Sequence, residues 1–526
     1  MAKVMKYPAG MQYFPDIVRD GYVYVDKTAY IRKLVESGSY YFLSRPRRFG
    51  KSLFVSTLQT YFDGKREYFK GLDIDKDDMD WNPRPVIKFE FNTIRVTAKE
   101  NLDKYLDVTL SEYEREYGID SSLGDYSDRF ANILSAAHKK SDRRVAVLVD
   151  EYDALLVNTL DNEELNAYYR ETLKSIFTVL KTADKHIFFA FVTGISRFSH
   201  TSLFSGANNL EDISLDNQYA GICGISEDEL RKFLMPGVIN FADVSGISGD
   251  DALALLKENY DGYHFSKKSP DIYNPYSLLL ALKKQEISNY WFESGTPDSF
   301  LRALKRDNFF MPDLDCLETV DSKLSAKESY LQNPVTLMYE AGYITIKGYD
   351  EETDIYTLGL PNKEVAVSFS EALLPIYSGM DKLQFDASFT LMRKAVLKGE
   401  PEKFMEHLKT FLQGNPYSNS ELKKRETYFK DNIFLIFKAL GFMPRVEEET
   451  CNSRMDVMLR TRRFIYIFEL KTDGSAEKGM QQIDKKGYAL PYADEGRTII
   501  KIAANYSSAS NNIDSYKIET YPLVPL

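Results

Sequence analysis

Apolar residues in the first 225 positions fall into short, nearly unbroken runs, separated by longer stretches in which they return every three or four residues. The runs are YYFL (40 to 43), PVIKFEFN (85 to 92), RVAVLVD (144 to 150) and HIFFAFVTG (186 to 194). Each is rich in β-branched or aromatic side chains, the pattern of a strand covered on both faces. Helices are predicted between them, over 51 to 62, 97 to 117, 128 to 140 and 162 to 183. This alternation predicts an α/β unit with a parallel sheet, whose right-handed crossovers place all strand carboxyl ends along one edge. Ligands bind at that edge in open α/β sheets.

The pattern changes after residue 225. ISEDELRKFL has Ser226 followed three residues later by Glu229, a capping box that opens a helix. GYITIKGYDEETDIYTLGLPN (342 to 362) places two β-rich runs around an acidic turn and predicts a hairpin. Helices followed by a hairpin suggest a winged-helix-like lid over 226 to 375, with a purely structural subdomain as the other reading. Residues 376 to 420 carry helical periodicity and end in the turn-rich GNPYSNS. A new α/β pattern starts at 421.

Composition narrows the class. The chain has 526 residues, 44% of them hydrophobic and 28% charged, which suits a globular protein of several units. No apolar run reaches the ~18 residues needed to span a bilayer, and MAKVMKYPAG lacks a signal-peptide core, so the expected location is the cytoplasm. Cys223, Cys316 and Cys451 are odd in number and far apart, and the five histidines are scattered. That spacing argues against a disulfide framework and a thiol or imidazole metal site, leaving carboxylates to hold any hard cation. The net charge of −11 is uneven: residues 421 to 526 carry 17 basic and 15 acidic side chains, leaving −13 for the rest. A chain that coats nucleic acid along its whole length is excluded.

Two constellations carry chemistry. LSRPRRFGKSL (43 to 53) ends like a phosphate-binding loop: Gly50, Lys51 and Ser52 follow a strand and open a helix, placing the lysine for terminal phosphates and the hydroxyl for Mg²⁺. Arg45 stands where the first glycine is expected, and Arg45, Arg47 and Arg48 could add positive charge. VAVLVDEYD ends a strand in Asp150 and Glu151, an arrangement in which the aspartate supports Mg²⁺ and the glutamate orients a water. Thr193, Ser196 and Arg197 follow the next strand, where a γ-phosphate sensor or an arginine finger could sit; a salt-bridged surface arginine is the other reading of Arg197. YVDKT (24 to 28), FLSRPRRFGKSL, VLVDEYD, FVTGISRFS, NYDGYHFS and YNPYSLL together resemble the AAA-ATPase-like family of bacterial proteins, related to the STAND branch of P-loop ATPases. In that family R-P-R-R-F-G-K-S is the usual loop. The resemblance covers most of residues 5 to 370 and implies ATP binding, with hydrolysis expected.

The second constellation is RMDVMLRTRRFIYIFELK (454 to 471). Glu469 and Lys471 alternate onto one face of a predicted strand, with Phe468 and Leu470 on the other, and a hairpin through RTRR can bring Asp456 beside them. Two carboxylates and an ammonium suit Mg²⁺ or Mn²⁺ and phosphodiester hydrolysis. A solvent-facing Glu/Lys pair is the other reading. Upstream, Glu426 falls on the inward face of a predicted helix (426 to 440) with Phe429, Ile433, Ile436, Phe437 and Leu440. Downstream, Gln482, Lys485, Lys486 and Tyr488 are predicted to form a helix that could contact a phosphate backbone.

ETYFKDNIFLIFKALGF, SRMDVML and the segment from YIFELK to NYSS resemble the PD-(D/E)XK nuclease domain found at the C-terminus of AAA-ATPase-like proteins, over roughly residues 421 to 510. The resemblance implies that Glu426, Asp456, Glu469, Lys471 and Gln482 are the acidic helix residue, the metal ligands, the lysine and the glutamine of that superfamily; Met455 replaces its proline. The expected architecture is therefore α/β: a P-loop domain with a parallel sheet (1 to 225), a helical, winged-helix-like domain (226 to 375), a helical connector (376 to 420) and a restriction-endonuclease-like domain (421 to 526). The expected function is ATP binding and hydrolysis joined to metal-dependent cleavage of nucleic acid, DNA before RNA, with no membrane partner and with room for a protein partner or a homo-oligomer. A STAND-like nucleotide switch with a non-catalytic C-terminal recognition module is the alternative.

Overall fold

The computed structural model describes residues 5–76, 78–119, 124–160, 162–197, 209–291, 317–320, 324, 334–378, 382–413, 433, 436–442, 445–446, 449–450, 453–454, 457–493, 495–510 and 512–521. The chain forms two compact units, residues 1–309 with 314–364, and residues 310–313 with 365–526.

The first unit is built on five parallel strands: β1 (Tyr40–Ser44), β2 (Val86–Glu90), β3 (Val145–Asp150), β4 (Ile187–Gly194) and β5 (Glu211–Asp212). Their spatial order is β2-β3-β4-β1-β5. The first four match the apolar runs. β5, two acidic residues at the edge beside β1, had no hydrophobic signal to announce it. Helices Lys51–Phe62, Lys99–Tyr117, Tyr126–Ser141 and Glu163–Thr182 fill the predicted intervals. Asp125 and Asn162 cap the last two, accepting from Asp128 N and Leu165 N. Leu165, Tyr169, Leu173, Ile176, Phe177 and Leu180 recur at helical spacing and bury against Val145, Val147 and Val149 of β3. Because β4 lies between β1 and β3, the loop after β1 and the acids ending β3 open onto the same sheet edge.

The same unit carries helices Met235–Ser245, Gly249–Tyr260 and Pro275–Lys284, whose apolar faces close around Tyr7. Ser226 and Glu229 form the full capping box. The predicted hairpin is present, Thr345–Asp350 pairing antiparallel with Ile355–Gly359, and Leu317–Val320 adds a third strand. This region thus combines helices with a small antiparallel sheet.

The second unit holds a mixed five-stranded sheet in the order Arg445–Val446, Val457–Arg460, Phe464–Thr472, Thr498–Ser507, Asn512–Tyr521. Phe464–Thr472 and Thr498–Ser507 are its parallel pair, joined through helix Ala476–Lys486. Strand alternation sorts the two faces. Tyr466, Phe468 and Leu470 pack with Phe389, Met392, Phe404 and Leu408 from helices Lys382–Lys398 and Pro401–Gln413. Ile465 and Ile467 pack with Met480 and Ile483 of helix Ala476–Lys486. Sequence periodicity sets 376 to 420 apart as a connector; the apolar faces of its helices pack on this sheet, within the compact unit that holds residues 365–526.

Candidate active sites

The loop after β1 turns through Arg48 and Gly50, both in the left-handed region at φ 69° and 93°. Glycine adopts that conformation without strain, which is why Gly50 can end the loop and start helix Lys51–Phe62. The Lys51 ammonium donates to the carbonyls of Arg45 (2.9 Å) and Pro46 (3.0 Å). Ser52 hydrogen-bonds Asp150, whose carboxyl is pushed up to about 6, first by burial and then against the opposing pull of Ser52 and Lys51; the nearby Glu151 charge adds to the rise. Asp150 Oδ1 is buried and has no hydrogen-bond partner among the described residues. Glu151 sits at φ 49°, an uncommon conformation for a side chain of its size, at the mouth of the same cleft.

That cleft has a volume of about 410 Å³ and is walled by Arg47, Arg48, Gly50, Lys51, Ser52 and Glu151, with residues 8 to 12 on one flank and Pro275, Tyr276 and Leu279 on another. Arg48 rests on the Tyr276 ring, 4.9 Å from its centroid. Arg45 does not line the cleft. Its guanidinium is 2% exposed, donates to the carbonyls of Ser44, Ser214 and Tyr219, and stacks on Phe265. The arginine in the position of the missing glycine braces the loop from within. Arg197 also faces elsewhere: its Nε donates to Asp212 at 2.9 Å, and its backbone N–H to Glu340. Thr193 donates its hydroxyl to Leu43 O, and Ser196 is fully buried.

On the second unit, Glu469 is 1% exposed and projects from the sheet face that carries helix Ala476–Lys486. The Lys471 ammonium reaches Glu469 Oε1 at 2.7 Å and Gln482 Oε1 at 2.9 Å, and the Gln482 amide donates to the Tyr488 hydroxyl at 3.3 Å. Gly479 permits this. A Cβ there would meet the Ala503 Cβ at 3.1 Å and Glu469 Cγ at 3.6 Å, so the glycine lets the helix lie close enough for Gln482 to touch Lys471. Lys485 and Lys486 are exposed at the helix end, whereas Tyr488 is buried and acts as the acceptor behind Gln482. Glu426, Met455 and Asp456 lie outside the described residues.

A family model described as a predicted AAA-ATPase matches residues 8–204, and one for the PD-(D/E)XK nuclease superfamily matches residues 424–516. Over 98% of its length the chain is 34% identical to 99% of an uncharacterized protein in the vnfD 5′ region of Azotobacter chroococcum mcd 1. The chain belongs to the AAA-ATPase-like family and ends in a PD-(D/E)XK nuclease superfamily domain.

Both sites of this AAA-ATPase-like protein can be tested for the cations such domains use. At the cleft, a buried carboxylate oxygen without a donor beside a serine hydroxyl is a hard-oxygen set that fits Mg²⁺. In the PD-(D/E)XK domain, Glu469 supplies one hard oxygen donor, and no group of three His, Cys, Asp or Glu side chains that could hold a metal occurs among the described residues. Two further residues of the AAA-ATPase-like unit escaped the motif reading. Asp153 accepts from the N–H groups of Ile195 and Ser196, and Gly194 approaches so closely that a Cβ would lie 2.5 Å from Asp153 Oδ1. VLVDEYD is thus divided: Asp150 bonds the Ser52 hydroxyl and Glu151 lines the cleft, while Tyr152 and Asp153 tie down the turn after β4, the tyrosine through Ser196 O. The second aspartate and the glycine of FVTG were the available signals. No helix among the described residues is long and apolar enough to cross a membrane.

Proposed function

We propose that this protein is an ATP-binding and ATP-hydrolysing, metal-dependent nuclease of the cytoplasm that cleaves DNA under nucleotide control. The observation that carries the nuclease reading is the Lys471 ammonium held between the buried Glu469 and Gln482, a cation fixed beside a buried strand carboxylate. In this reading Asp456 and Glu469 hold Mg²⁺ or Mn²⁺, Glu426 supports them, and Lys471, oriented by Gln482, positions the attacking water. A bound divalent ion supplies charge neutralisation at the scissile phosphate. At the cleft, Lys51 takes the terminal phosphates, Ser52 and Asp150 hold Mg²⁺, Arg47 and Arg48 add positive charge, and Glu151 positions water.

Nucleotide control is proposed because one chain carries both constellations. The test is cleavage of supercoiled plasmid, single-stranded DNA and RNA with Mg²⁺ or Mn²⁺, with and without ATP, by wild type, Asp456→Ala and Lys51→Ala. DNA cleavage lost in Asp456→Ala and altered by ATP in the wild type alone is the expected result. Cleavage indifferent to both ATP and Lys51→Ala would remove nucleotide control. No cleavage by any of these proteins would favour the STAND-like switch with a recognition module.

A further inference from the structure

Pro46 and Arg47 are gripped from two sides. From within the loop, Lys51 holds the carbonyls of Arg45 and Pro46. From the helical region, the Trp291 indole N–H donates to the Arg47 carbonyl at 3.0 Å. Gly342, at φ 88°, lies so close that a Cβ there would sit 2.7 Å from the Pro46 Cβ and 3.5 Å from Trp291 Cζ2. Trp291 is itself immobilised. It is 1% exposed, its ring meets Tyr343 edge-on at 5.3 Å, and its backbone N–H donates to Glu364 at 2.7 Å. Glu364 also accepts from Ser277, in the helix whose first residues line the cleft.

We propose that Trp291 is the positioning residue through which occupancy of the phosphate loop is passed to the helix-and-hairpin region, residues 226–364. The inference rests on the nucleotide reading of the cleft. Two of the three Lys51 donors are spent on the carbonyls of Arg45 and Pro46, so as the third turns to a phosphate the ammonium shifts and pulls on the segment that carries those carbonyls. Peptide units that turn their N–H groups toward an anion reorient the carbonyls on the same short segment. The Arg47 carbonyl is tied to Trp291 and Pro46 is packed on Gly342, so the rearrangement loosens the indole bond or drags the indole with it. Both change the surroundings of a fully packed tryptophan.

The chain has two tryptophans, and the other, Trp81, packs on Tyr61 and Phe69 and does not line the cleft. Full-length wild type, Trp81→Phe and Trp291→Phe are titrated with Mg²⁺-ATP and Mg²⁺-ADP, following calorimetric heat and tryptophan emission in parallel. The expected result is an emission shift that saturates at the calorimetric Kd in wild type, persists in Trp81→Phe, and is absent from Trp291→Phe although that variant still gives binding heat. The Trp81→Phe arm suffices if Trp291→Phe does not fold, and the Trp291→Phe arm if Trp81→Phe does not. Binding heat without an emission shift in wild type, or a shift that survives in Trp291→Phe, overturns the inference. Absence of binding heat in wild type overturns the nucleotide reading itself, and the inference with it.

Discussion

Asp150 and Glu469 are both strand carboxylates buried to 1% exposure, and their neighbours differ in kind. Asp150 has a serine hydroxyl for company, while the nearest ammonium, Lys51, spends its hydrogen bonds on backbone carbonyls. Glu469 has an ammonium of its own at 2.7 Å, held in turn by Gln482. Burial without a paired cation raises the Asp150 carboxyl to about 6. The cleft therefore keeps its buried carboxylate apart from its ammonium, and in the proposed reading the two are balanced by a cation and an anion that arrive together. The nuclease site balances part of its charge internally, on a strand and a helix that are rigid elements of the fold.

The largest expected effect tests the strand site. Glu469→Gln removes the charge and keeps the shape, and DNA cleavage should fall by about 10³-fold, ~4 kcal/mol of transition-state stabilisation, with nucleotide Kd unchanged; plasmid nicking and calorimetry check the two halves. Next, Lys51→Ala should weaken ATP binding by about 100-fold, ~2.7 kcal/mol, and lower the melting temperature in EDTA, because the buried carbonyls of Arg45 and Pro46 lose that donor. Gly479→Val pushes the glutamine helix away from Glu469 and Ala503, and overpacking of this kind costs about 1–3 kcal/mol. It should lower cleavage and thermal stability together and leave ATP binding intact, whereas a variant with normal cleavage would show that Gln482 need not touch Lys471.

The smallest expected effect is a pH dependence at Asp150. A carboxyl whose native pKa is raised keeps its proton in the folded state after the unfolded chain has lost it, so the stability it contributes is full below about 4 and falls as pH rises to about 6. Asp150→Asn should therefore match wild type near pH 4 and exceed it above pH 6 by at least ~1.4 kcal/mol, about a tenfold change in the folding equilibrium. Asp261, raised to about 7 mainly by burial, acts in the same direction in both proteins and cancels in the difference. Denaturant unfolding at pH 4 and pH 7 without Mg²⁺ measures it, and a variant no more stable at pH 7 would mean that Asp150 is already well paired.

Local pattern was enough for four of the five strands, because a strand covered on both faces must be apolar throughout. It was enough for the placement of Glu469 and Lys471 on one side of a strand, because a period of two leaves no other choice, and for the capping box at Ser226. It could not separate Arg45 from Arg47 and Arg48. All three stand in one basic turn, and only the carbonyls of Ser214 and Tyr219, some 170 residues away, decide that the first points inward. Nor could it divide Asp150 from Asp153, or show that the helices of 376 to 420 complete the second sheet. Chemistry carried within one element is written in its periodicity. The joining of Lys471 to Gln482 across a crossover that Gly479 keeps tight, and of Arg47 to Trp291 across 244 positions, depends on which elements become neighbours, and packing alone settles that.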